Sequence, residues 1–289
     1  MTAPFPFKTI ATAFAFSPYA EANFHESSRI AKMLNAKLVL VHVGKKTREK
    51  VSQIERFILQ TEIGHENVTI DFREGDAVSA ILDSCKEHKV NLLIAGAMKR
   101  ENLLKFYSGS IARKLCRKAN CSILLLTDRS VVRNKCSEIV VSGDNQEKTE
   151  TTVRTANYFG KILGAEHITI VDEIDPKTTG HQADDDDQLA ETAQKRKELK
   201  CKEEERIAKL EQRLSDDGAL PVGHKCIFGK PGYTIGHYAA ANKADLLVMN
   251  SPNTKLGLID RFFPHDLEYV LSDLPCCLMI VHQKPDSVA

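Results

Sequence analysis

The sequence predicts an α/β protein made of two tandem open parallel-sheet domains, the second interrupted by a charged helical insertion. Three observations carry this. The chain has 289 residues, about twice the commonest domain size, so two separate cores are expected. Its strand-like segments are continuously apolar instead of alternating, as in Lys37 to Val43 and Leu246 to Met249, the pattern of a parallel sheet covered on both faces. Its two halves also repeat one another in register.

The first half opens with an apolar strand, Lys8 to Phe16, then a helix-period stretch from Glu21 to Leu34 and a strand from Lys37 to Val43. The second half answers with strand Glu138 to Ser142, helix Thr149 to Leu163 and strand His167 to Val171. A short turn containing alanine joins helix to strand in both; Ala36 and Ala165 lie 129 positions apart, as do Ile10 and Ile139. Further along, Phe72 to Asp76 answers Cys226 to Lys230, and Asn91 to Ala95 answers Asp245 to Met249, both at 154 positions. The change from 129 to 154 assigns 25 residues to the insertion. The closing strands, Ala119 to Ile123 and Leu274 to Leu278, align at 155, so the last loop of the second copy is one residue longer. Each copy reads β-α-β-helix-β-α-β-loop-α-β, a Rossmann-like order, with domains expected over residues 1–133 and 134–289 and the insertion over about 173–221.

The insertion begins with Asp184 to Asp187 and continues as a charged helical run from Gln188 to Leu214. Acidic residues suit a helix N-terminus, and Glu191/Lys195, Glu198/Lys202 and Glu205/Lys209 are favourable i,i+4 pairs. Leu189, Ala193, Leu199, Ile207, Leu210 and Leu214 make only a thin apolar stripe. Two readings stand: a solvated helix packed along one edge, or a helix that docks a protein partner. The four aspartates lack the spaced ligands and turn glycine of a dedicated calcium loop.

Composition narrows the function classes. Forty basic against thirty-nine acidic residues leave a formal charge of +1, so there is no global field to attract nucleic acid or an anionic membrane. No apolar run reaches the roughly 20 residues of a spanning helix, and the apolar start lacks the basic flank of a signal peptide. A cytoplasmic protein is expected. The eight cysteines show no paired C-x2-C spacing, and most read as small buried apolar residues. The adjacent Cys276 and Cys277 would point to opposite faces of a strand. No metal is expected.

Parallel sheets bind ligands beyond the carboxyl ends of their strands, where strand order reverses. After the fourth strand of the first copy come Gly96-Ala97-Met98-Lys99, nine further residues, then Gly109-Ser110 opening a helix. Glycines let backbone N–H groups approach an anion and a helix N-terminus adds partial positive charge; a turn glycine and a helix cap is the other reading.

These residues, with Gly75-Asp76-Ala77 before a helix and the ending Ala119-Asn120-Cys121-Ser122-Ile123, resemble the universal stress protein family in its tandem two-domain form. The resemblance implies an adenine-nucleotide alpha-hydrolase-like fold, and in ATP-binding members a strand-end aspartate near adenine and a G-x2-G-x9-G-[S/T] loop for ribose and phosphates. The first copy keeps Gly96, Gly109 and Ser110, with Ala15 in place of the aspartate and Lys99 in place of the middle glycine. The second keeps Asp144, but its loop reads Asn250-Ser251-Pro252-Asn253, and Pro264-His265 replaces glycine-serine. His265 and Asp266 are left as ligand contacts or helix caps. The implied cofactor positions are Ala15, Val43, Gly96, Lys99, Gly109, Ser110 and Asp144, for ATP or another adenine nucleotide. The family also implies pairing of the two copies through their final strands, Ser122 to Thr127 and Leu278 to His282, within a monomer or homodimer.

The ten histidines form no H-E-x-x-H or comparable motif, His42 and His282 read as structural, and no catalytic residue can be named. The expected function is a non-catalytic stress sensor or scaffold with a degenerate nucleotide pocket. The alternatives are a regulatory subunit docking a protein, such as a membrane transporter, without nucleotide, and a slow ATPase.

Overall fold

In the computed structural model the described residues are 7–97, 110–127, 130–132, 135–179, 186–215, 218–252 and 265–282. Contacts divide the chain into two units: Met1–Lys135 with Ser251–Phe262 and Cys276–Ala289, and Cys136–Asn250 with Phe263–Pro275.

The first unit runs β1 (Thr9–Ala13), α1 (Ala20–Met33), β2 (Lys37–Val43), α2 (Arg48–Leu59), β3 (Val68–Arg73), α3 (Ala77–Glu87), β4 (Leu92–Gly96), α4 (Ser110–Lys118) and β5 (Ser122–Leu126). The strands pair in parallel in the order β3-β2-β1-β4-β5, so the order reverses between β1 and β4. Ile10, Leu38, Leu40, Leu92, Leu93, Ile94 and Ile123 are fully buried, as strands covered on both faces must be.

The second unit repeats the plan with β6 (Glu138–Ser142), α5 (Thr149–Leu163), β7 (His167–Ile174), α6 (Asp186–Ser215), β8 (Val222–Phe228), α7 (Tyr233–Ala241), β9 (Leu246–Asn250) and α8 (His265–Ser272). Its parallel order is β8-β7-β6-β9. The last strand, β10 (Cys277–Val281), belongs to the first unit and runs antiparallel to β5, with Leu278 opposite Leu125 and Ile280 opposite Ile123.

The duplication extends to single hydrogen bonds. Asn91 Oδ1 accepts from the N–H groups of Lys8 and Thr9, at 3.0 and 3.1 Å, and pins the start of β1. Its counterpart Asp245 does the same for β6 through Ser137 and Glu138, at 2.7 and 3.0 Å. Helices end alike as well. Asn35, Lys89 and Lys243 have φ near +50° and Gly164 has φ +77°; each follows a helix whose end closes by a bond reaching back five residues, such as Val90 N to Cys85 O and Ala244 N to Ala239 O. These are Schellman endings.

Two strands differ from expectation. β1 stops at Ala13, and the chain then turns, Ser17 N bonding Ala15 O at 2.9 Å. β7 runs on to Ile174 because β8 pairs with it as far as Phe228.

The insertion proves to be an extension of an element both copies share. Ile54 and Ile58 of α2 are buried, as are Leu210 and Leu214 of α6, and each pair is related by 156 positions, as are Lys50 and Arg206. The carboxyl-terminal half of α6 therefore stands where α2 stands, and the added turns lie at its start. Leu189 is 62% exposed and the residues from Ala193 to Glu198 are exposed, so the thin stripe packs only from Ile207 onward.

Candidate functional site

In the first unit a crevice of about 560 Å³ opens beyond the ends of β1 and β4, at the reversal of strand order where such sheets receive ligands. Its floor is small and apolar because Ala13, Ala15, Ala95, Gly96 and Ala97 place almost no side chain there. Val41, His42 and Val43 from β2 form one side, Tyr19 and Asn23 from the start of α1 another, and Ala77, Ile81, Ile111, Ala112 and Leu115 from α3 and α4 the rest. None of the described lining residues is charged. Volume and lining fit a small-molecule site, for which 300–1,000 Å³ is the usual range.

One wall is aromatic. Phe14 and Phe16 meet edge to face at 5.1 Å, Phe16 and His42 at 4.7 Å, and His42 and Phe72 at 5.5 Å between ring centroids. His42 Nδ1 lies 3.1 Å from the Phe14 carbonyl oxygen and Nε2 3.1 Å from Lys50 Nζ. Nδ1–H therefore donates to the carbonyl, leaving Nε2 to accept from the ammonium. Burial depresses the His42 pKa, the Phe14 carbonyl opposes the shift and the Lys50 charge adds to it, so the ring stays neutral near pH 7. Lys50 also donates to Lys45 O at 3.0 Å and lies 5.4 Å from the Phe16 ring centre.

Asn23 stands apart within the lining. It is 8% exposed, and its Oδ1 has no hydrogen-bond partner. A buried acceptor left unpaired is uncommon and costs free energy.

In the second unit the residues at the corresponding strand ends are hydrogen-bonded to one another. Asp144, equivalent to Ala15, accepts from Asn250 Nδ2, from Gln146 Nε2 and, at 3.1 Å, from Thr149 Oγ1. Asn250 stands where Gly96 stands, and its Oδ1 accepts from Thr152, the counterpart of Asn23. Burial raises the Asp144 pKa while Thr149 and Asn250 oppose it. Arg206 of α6 donates through Nη2 to Gly143 O at 2.5 Å and Asp172 Oδ1 at 3.0 Å, and through Nε to Glu203 at 2.6 Å. Gly143 and Asp172 are the counterparts of Phe14 and Val43, which line the first crevice. Gly143 permits this close fit: a Cβ there would lie 2.8 Å from Ile170 and 3.1 Å from Ile207.

Glu173 accepts from the Gly232 and Ile235 N–H groups at 2.9 and 2.7 Å at the start of α7. Burial pushes its pKa up to about 7, with the two N–H bonds opposing, and pushes Asp172 up to about 6 against the pull of Arg206. Gly232 itself is obligatory, since a Cβ would lie 2.0 Å from the Asp266 carbonyl oxygen.

Of the positions singled out in the sequence, Ala15, Val43 and Gly96 line one crevice, whereas Asp144 is engaged inside the second unit. Lys99 and Gly109 lie outside the described residues, and Ser110 is described only as the first residue of α4. Sequence reasoning missed Asn23 and the crevice role of His42. The signal for Asn23 was a polar residue beside Phe24 and Ser27 on the buried face of α1. Among the described residues, no group of three or more His, Cys, Asp or Glu side chains is placed to hold a metal ion, and no helix is long and apolar enough to cross a membrane.

An open parallel sheet with a crevice at its switch point is the architecture of nucleotide-binding α/β proteins. The family model for the universal stress protein family matches residues 44–127 and 137–282, and the chain belongs to that family, with two tandem domains. No curated protein matches by sequence. Among solved structures, a functionally unknown protein from Pseudomonas aeruginosa is similar at TM-score 0.70 and 17% identity, with 96% of this chain and 93% of that one covered. A universal stress protein from Archaeoglobus fulgidus is similar at TM-score 0.63 and 13% identity, covering 96% and 97%. The cytoplasmic domain of a prokaryotic cation chloride cotransporter is similar at TM-score 0.51 and 11% identity, covering 97% and 96%. At these identities the likeness is one of fold.

Proposed function

We propose that the protein is a non-catalytic cytoplasmic stress-response sensor that binds one adenine nucleotide, in the crevice of its first domain, while the second domain serves as a closed scaffold. The observation that carries this is the contrast between the copies. The first leaves about 560 Å³ open beside Ala15, Val43 and Gly96; at the equivalent strand ends of the second, Asp144 is bonded to Asn250 and Gly143 O to Arg206.

The residues fit such a ligand. The apolar floor and aromatic wall suit a flat heterocycle, and α4 begins at Ser110, where a helix N-terminus favours phosphate. No Asp, Glu, Lys or Arg side chain lines the described crevice, so recognition of the nucleoside rests on shape and neutral hydrogen bonds. His42 is committed to Phe14 and Lys50 and serves as a wall. Calorimetric titration of the full chain with ATP, ADP and AMP tests the reading. Saturable heat supports it, and no heat with no thermal shift at millimolar nucleotide removes it. Phosphate release in the same samples would contradict the non-catalytic part.

A second reading has its own observation. The amino-terminal half of α6 is exposed and charged, with Lys195 and Glu191 paired at 2.6 Å on its surface, and the fold likeness extends to a cotransporter's cytoplasmic domain. On this reading the chain is a regulatory subunit that docks a protein through α6. Deleting the exposed Gln188 to Lys202 and repeating a pull-down discriminates, because unchanged partner recovery argues against it.

A further inference from the structure

Two large apolar side chains stand exposed on the lining of the first crevice. Tyr19 is 48% and Ile111 44% exposed. Single exposed apolar residues need no explanation, but two on the wall of one crevice offer a ligand a surface to cover. The strand order sets them across from each other. From the switch point β1 leads to β2 on one side and β4 to β5 on the other, so right-handed crossovers place α1 and α4 on opposite faces of the sheet. Packing agrees, since α1 meets α2 and α3 meets α4. Tyr19 is the residue before α1 and Ile111 lies in the first turn of α4, so the two flank the crevice from its two faces. Tyr19 does not serve its own helix as a cap, because its side chain makes no capping hydrogen bond.

The second domain has no such pair. α1 and α5 correspond at 129 positions and α4 and α8 at 155, which sets Lys148 in the place of Tyr19 and Asp266 in the place of Ile111. The apolar pair thus accompanies the unlinked strand ends, and charged residues accompany the bridged ones.

We propose that Tyr19 and Ile111 clamp the base of the bound nucleotide, Tyr19 stacking on one face of the ring and Ile111 packing on the other. This rests on the nucleotide reading above. Between them the floor holds the small side chains of Ala13, Ala95 and Ala97, which leave depth for the edge of a planar ring. Stacking acts through the ring face and tolerates any base, in keeping with a lining that carries no described charge. The tyrosine hydroxyl has no part in it, so phenylalanine replaces Tyr19 and an aliphatic side chain does not.

The test uses the full chain with AMP as probe. Tyr19→Ala should weaken AMP binding about tenfold, within the range for one stacked base, while Tyr19→Phe stays within about twofold of wild type and Tyr19→Leu falls near the alanine variant. Ile111→Ala should weaken it about threefold through lost apolar contact. A contact readout separates stacking from a merely structural role. The chain has six tyrosines and no tryptophan, so its emission is tyrosine emission, and a base stacked on Tyr19 quenches that residue's share. AMP should quench wild type, and quench Tyr19→Phe less although affinity is kept. AMP binding to Tyr19→Ala or Tyr19→Leu at wild-type strength, or an undiminished quench in Tyr19→Phe, overturns the proposal and leaves the nucleotide reading standing. Absence of AMP binding to wild type overturns both.

Discussion

Lys243 and Lys89 hold φ of +52° at helix ends, a conformation that costs a side-chain-bearing residue roughly 1 kcal/mol and glycine little. Both are exposed, and the second-domain counterpart of Asn35 is already glycine. Lys243→Gly should therefore stabilise the protein by about 1 kcal/mol in urea titration. Glu173 makes a second prediction at this scale. Its folded pKa of about 7 lies above the ordinary 4.5, as Asp172 at about 6 lies above 3.8. An acid with a raised folded pKa contributes stability that is present below its unfolded pKa and lost as pH rises through the folded one. Unfolding free energy should thus decline from about pH 4.5 to 7 on this account, and Glu173→Gln should flatten that decline; an unchanged pH profile would count against the assignment. His42 acts in the opposite sense: burial holds its pKa below 6.5, so its share of stability is lost as pH falls below 6.5. Neither Asn23 nor Glu173 was legible as a site residue, because a polar side chain on a buried face looks the same in sequence whether it is paired or not.

The elements were largely legible, since each depends on local pattern: continuously apolar strands, helix-period stretches and paired offsets. β6 and α5 lie at the expected residues. The charged helix was legible as a segment between β7 and β8, but not its division of labour, because α6 mixes two roles in one charged run. Its carboxyl-terminal half is an α2-like packing helix, with Ile207 fully buried and Leu214 1% exposed. Its amino-terminal half rests on i,i+4 pairs that contribute a few tenths of a kcal/mol each. Ile207→Ala should cost about 2–5 kcal/mol in chemical denaturation. Removing Gln188 to Lys202 should change stability by no more than about 1 kcal/mol. A large loss from the deletion would show that the exposed half is structurally required.

At the scale of the whole molecule, duplication has produced one crevice lined by unlinked strand ends and a second set of strand ends bridged by its own side chains. Constant offsets made the duplication plain, but the consequence needed coordinates. Asp144 kept the strand-end carboxylate that the resemblance assigns to adenine, yet Asn250 and Thr149 bind it. Nothing in its spacing shows that Arg206 reaches Gly143, 63 residues away in sequence. The long separation of these partners is why the second site reads as half-kept in sequence and as bridged by its own side chains in three dimensions. The most direct test is the stoichiometry of AMP binding to the full chain by calorimetry, beside Gly96→Asn. One nucleotide per chain, lost in Gly96→Asn, is the expected result. Two per chain, or one that survives Gly96→Asn, would contradict the assignment of the open crevice to the first domain alone.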